Sequence, residues 1–137
     1  MADDKKIALC REYGVSISDA EYKNPSLLHA KCGAILAEHE YHLIDFDILH
    51  AIRVHTTGVP GMSLLDKIIF IADYIEPNRD KAPHLKELRK LADKDLDETT
   101  YLILKDTVYY LKAHEDQTMD PTTVSAYEYY RDWHNSQ

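Results

Sequence analysis

The chain has 137 residues, 45% of them hydrophobic and 29% charged, enough for one domain with a real core but not for two. A formal net charge of −8 excludes a broad nucleic-acid-binding face, because a phosphate backbone calls for basic stripes. The longest apolar run, Ile68 to Ala72, falls far short of the roughly 20 residues that span a bilayer, so a membrane is not an expected partner either.

Residues 3–13 have the length and polarity of a short helix, closed by Gly14 as a left-handed stop. The opening MADDKKIALC has an acidic start and a four-residue apolar run, which does not fit a signal peptide. Asn24-Pro25-Ser26 opens the next helix with Pro25 in its permitted first turn, and Leu28, Ala34, Leu36 and Ala37 give it apolar positions to about residue 40. Asp45 can cap a third helix with Phe46, Ile48, Leu49 and Ile52 as its core face. After the turn-rich TTGVPG loop, Ser63 and Asp66 form a capping-box pair that restarts a helix, with Leu65, Ile68, Ile69 and Ala72 as its buried stripe. A polar loop, EPNRDKAP, leads to a helix carrying Leu85, Leu88, Leu91 and Ala92. A long helix from Asp95 to about His114 follows, and Asp120-Pro121 starts a last one toward Trp133. No segment alternates as a half-exposed strand would, so the expectation is an all-α bundle over residues 1–137.

Asp73 lies one position past the expected buried stripe, just before the helix-ending Glu76-Pro77. A half-buried carboxylate needs a partner. Two readings stand: it pairs with Lys67 or Arg79, or it binds a metal beside those two cations in a metal-and-phosphate corner. His55 lies just past a helix end, where the helix dipole alone could hold it. Otherwise it aims at a ligand phosphate, with Thr56, Thr57 and Gly58 letting that ligand approach the backbone. His29, in the first turn of its helix, is read either as a structural histidine or as part of the same site. His39 and His42 are read as surface residues, and His50, His84, His114 and His134 show no partner pattern. The Tyr-rich C-terminal third, with Tyr101, Tyr109, Tyr110, Tyr127 and Tyr129, is read as core edge. Cys10 and Cys32 lack a CxxC spacing and read as reduced thiols of a cytoplasmic protein. No nucleophile elbow, Walker loop or dinucleotide glycine fingerprint occurs.

Together, LLHAKCGAILAEH, AIRVHTTGVPGMSLLDKIIFIADYIEPNR and DPTTVSAYEY resemble the YqeK family of HD-domain proteins, which act as symmetrical bis(5′-nucleosyl)-tetraphosphatases. The resemblance runs over nearly the whole chain. It implies an HD-domain-like helical bundle that uses a divalent or trivalent metal, iron by family habit, to cleave diadenosine tetraphosphate into two ADP. By the same resemblance Asp73 is the last metal ligand and a catalytic residue. His29 and His55 are the family's two later histidines near the phosphates, and Thr56, Lys67 and Arg79 are phosphate contacts. Partners are then a small dinucleoside polyphosphate or ADP, and a second copy in a homodimer. The family's first histidine and its His-Asp pair have no counterpart, since no His precedes His29 and no His-Asp dipeptide occurs. The expectation is therefore an N-terminally truncated domain lacking about 50 residues, with incomplete metal ligation and an exposed apolar patch. Alternatives within that expectation are a non-catalytic nucleotide-binding remnant, a helical interaction module, or an HD phosphohydrolase with another substrate.

Overall fold

A computed structural model describes residues 1–115 and 117–137, and among these every regular element is a helix. The helices are α1 (Asp3–Glu12), α2 (Asp19–Lys23), α3 (His29–His39), α4 (Phe46–Val54), α5 (Leu64–Tyr74), α6 (Leu85–Ala92), α7 (Leu96–Ala113) and α8 (Pro121–Asn135), with a 3-10 turn at Pro25–Leu28 before α3. The all-α expectation holds, and the caps explain where the elements start. The Ser63 hydroxyl accepts from the Asp66 N–H while the Asp66 carboxylate accepts from the Ser63 N–H. Asp45, Asp95 and Asp120 each accept from N–H groups of the following first turn. Gly14 ends α1 at φ +68°. The expectation omitted α2, although Ser18 and Glu21 close a capping box there as well.

The larger core gathers Phe70 and Ile71 of α5, Leu88 of α6, Ile103 and Leu104 of α7 and Tyr130 of α8. Tyr130 also ties α8 to the loop before α5, its hydroxyl accepting from the Met62 N–H at 2.9 Å. A smaller core joins Cys10 of α1 to Leu28, Cys32 and Ile35. Two apolar faces turn out differently from the sequence expectation. In α5 the buried positions are Asp66, Phe70 and Ile71, whereas Ile68, Ile69 and Ala72 are exposed. Helix α5 is apolar nearly all round, so periodicity cannot choose its inner face. The aromatic ring of Phe70 and the cap at Asp66 choose it. In α4 the buried residues are Leu49, Ala51 and Val54, while Phe46 and Ile48 are exposed. These exposed side chains, with Ile44 and Leu64, put several apolar groups on the surface around α4 and α5.

Several histidines without an expected partner acquire one. His50 Nδ1 lies 3.0 Å from an oxygen of Asp66, whose side chain is almost wholly buried. His134 Nδ1 meets Glu98 at 2.8 Å, and His84 Nδ1 meets Asp106 at 2.9 Å. The hydrogen bond to Asp106, and then its charge, raise the His84 pKa above the ordinary 6.5. The linked stability is present below pH 6.5 and is lost as pH rises through the raised value. A proton-carbon NMR titration should place His84 above 6.5 and return it there in Asp106→Asn. A His84 titration that Asp106→Asn leaves unmoved would deny the contact. The aromatic stripe is core edge in part: Tyr101 is buried, Tyr127 is half-buried, and Tyr109, Tyr110 and Tyr129 are exposed.

Candidate functional site

His29 begins α3 and His55 follows α4, and the packing of α3 on α4 brings their rings together. The ring centroids lie 5.3 Å apart, edge to face. His29 Nδ1 sits 3.0 Å from the Ser26 carbonyl oxygen and His55 Nδ1 sits 2.5 Å from that of Ile52. A carbonyl only accepts, so each Nδ1 carries a proton and each Nε2 is left for chemistry. Both Nε2 atoms turn to one hydroxyl: Thr56 Oγ1 lies 3.0 Å from His29 Nε2 and 3.4 Å from His55 Nε2. One hydroxyl proton cannot serve two acceptors at once. The cluster therefore has spare acceptor capacity when neutral, and two N–H donors toward an anion when protonated.

The loop after α4 gives this cluster its shape. Gly58, at φ +70°, sits where a Cβ would come within 3.3 Å of Leu104 and 3.5 Å of Phe70. The turn thus rests directly on the core through a residue that has to be glycine. Between this loop, α5 and α7 lies a small cavity of about 30 Å³, walled by His55, Thr56, Asp73, Tyr74, Leu104 and Thr107. That space suits one or two waters, at roughly 10–15 Å³ each, and not a nucleotide.

Asp73 differs from the expectation. It is exposed rather than half-buried, because the inner face of α5 is Phe70–Ile71, and its carboxylate has no ion pair among the described residues. It does wall the same niche as His55 and Thr56. Lys67 is not part of this niche. Its ammonium is held 2.6 Å from Asp97, joining α5 to α7. Arg79 reaches the Asp73 main-chain oxygen at 3.5 Å and lies over the Tyr74 ring at 5.2 Å. It borders a neighbouring cavity with Tyr74 and Lys81. Arg89, which carried no signal in the sequence, fixes that loop by donating to the carbonyls of Ile75, Glu76 and Arg79 at 2.9–3.0 Å.

The metal implied by the resemblance needs several fixed protein ligands and an open position. Among the described residues no three His, Cys, Asp or Glu side chains converge closely enough to hold one. The imidazole pair and the exposed Asp73 do not amount to a metal centre, and iron finds no ligand set in them.

Residues 8–78 match the HD domain family. The chain is 46% identical over 106 residues to a symmetrical bis(5′-nucleosyl)-tetraphosphatase of Bacillus subtilis (strain 168), covering 77% of this chain and 56% of that protein. It is 38% identical over 128 residues to the protein of the same name from Staphylococcus aureus (strain NCTC 8325 / PS 47), with 92% and 64% covered. A crystal structure of a predicted HD superfamily hydrolase involved in NAD metabolism from Clostridium acetobutylicum superposes with a TM-score of 0.90 at 38% identity, over 97% of this chain and 69% of that one. The chain thus spans less than two thirds of the length of these curated relatives.

Proposed function

Since this chain belongs to the HD-domain family, we propose that it acts on the polyphosphate bridge of diadenosine tetraphosphate, promoting symmetric hydrolysis to two ADP. The observation that carries the reading is the convergence of His29 and His55 on the hydroxyl of Thr56, a residue that with His55 walls a water-sized niche. The names of the relatives, symmetrical tetraphosphatases at 38–46% identity, supply the substrate class. Residues 1–137 are read as one HD-domain-like unit. HD-domain hydrolases generally depend on a metal, and the described residues of this chain form no group of three potential ligands for one. What the chain itself supplies is binding, orientation and proton transfer.

His29, the more exposed of the pair, offers its Nε2 to phosphate oxygens, and Thr56 donates beside it. His55, half-buried against the niche, offers in its protonated form the Nε2 proton to the phosphate oxygen on which charge builds as the bridge breaks. Asp73 shares the niche and orients a water there for attack on an inner phosphorus. Neutral Tyr74 keeps its hydroxyl proton, since burial first and then Asp106 raise its pKa. A cytoplasmic location belongs to the same reading, supported by two free buried thiols, Cys10 and Cys32, that lie 3.9 Å apart unbonded. The test is product analysis with diadenosine tetraphosphate, with and without added divalent metal. ADP as the sole nucleotide product is expected; ATP plus AMP, or no turnover, would contradict the proposal.

A further inference from the structure

Three cavities adjoin in a row, and their shared walls set the order. The niche of His55 and Asp73 shares Thr56 and Thr57 with a cavity of about 370 Å³ on one side. On the other side it shares Tyr74 and Thr107 with a cavity of about 290 Å³. Both outer cavities approach or exceed the lower size limit of small-molecule sites, roughly 300 Å³. The niche between them does not. A ligand matching this row has two bulky ends of similar size and a thin anionic middle.

The larger cavity lies between the α2 region and the end of α4. Its charged groups are largely settled within the fold. Glu21, only 3% exposed, accepts from the Ser18 N–H and from Lys31 at 2.8 Å. Asp120 accepts from the Thr122 N–H at the start of α8. What remains is apolar wall from Leu27 and Val54, hydroxyls, and one cation: Arg53, exposed and without an ion-pair partner among the described residues. Arg53 stands two residues before His55 in the chain and lines this cavity together with Thr56 and Thr57, which the niche shares. A hydroxyl-lined pocket with a free guanidinium suits a nucleoside whose phosphate leads over the shared Thr56 and Thr57 toward His55. The opposite cavity is lined by Arg79 and Lys81, and its carboxylate, Asp106, is engaged by His84.

We propose that the Arg53 cavity is a second nucleoside subsite, so that one dinucleoside tetraphosphate lies across the row with a nucleoside in each outer cavity and its bridge over His29 and His55. This rests on the reading of the imidazole pair as the polyphosphate site. Symmetric cleavage then follows from position, because two arms of similar size leave the middle of the bridge at the niche.

Calorimetric titration of the full chain with ADP and with a methylene-bridged, hydrolysis-resistant diadenosine tetraphosphate tests it. Arg53→Ala and Arg79→Ala should each weaken the two-ended ligand about tenfold. Each should leave ADP bound with near-native affinity in the intact arm, and the double variant should weaken ADP as well. Unchanged binding of the two-ended ligand by Arg53→Ala would overturn the second subsite. So would equal losses of both ligands in Arg53→Ala. His55→Ala separates the two readings: if it leaves the two-ended ligand bound with native affinity, the polyphosphate site itself is wrong and the subsite falls with it.

Discussion

Leu104→Ala should destabilise the protein by about 2–5 kcal/mol, the range for emptying a well-packed leucine site. Leu104 is 1% exposed, belongs to the larger core, and supports the Gly58 turn that carries Thr56 and Thr57. A urea titration should show a lower midpoint with an unchanged slope. Because the same side chain walls the niche, the folded variant should also bind ADP more weakly. A loss below about 1 kcal/mol would mean that the turn does not rest on this residue as described.

The second large effect concerns chemistry rather than stability. His55→Ala should lower tetraphosphate hydrolysis by about 10²–10⁴-fold, the usual range for a positioned proton donor. His29→Ala should act mainly by raising KM, since His29 is exposed outside the niche while His55 borders it. Steady-state kinetics of the two variants separate the roles. Equal effects on kcat alone would contradict this division.

Much of the helical order was legible because local chemistry declares it. The Ser63–Asp66 box, the aspartates at 45, 95 and 120, Pro25, Pro121 and Gly14 mark element ends within a turn of where they occur. The inner faces of α4 and α5 were not legible, since both helices carry apolar residues on several sides and only contacts with distant elements select among them. The same holds for partners. Lys67 is claimed by Asp97, His50 by Asp66 and His134 by Glu98, at separations of 30, 16 and 36 residues, and no local pattern announces such pairs. Of the candidate site, the TTG turn and His55 were visible as a loop fit for close approach, but the meeting of His29 and His55 over Thr56 depends on how α3 packs against α4. Asp73 falls on the expected helix, but its burial was inferred from the wrong stripe.

Two imidazoles with Nδ1 tied to carbonyl oxygens leave two Nε2 atoms to receive a phosphate, and nitrogen-15 NMR of the histidine rings reads those atoms directly. Adding ADP to the isotopically labelled chain should shift the Nε2 signals of His29 and His55 and leave those of His39 and His134, which line none of the three cavities, in place. Saturation with ADP that left both rings unperturbed would place the nucleotide elsewhere and contradict the account.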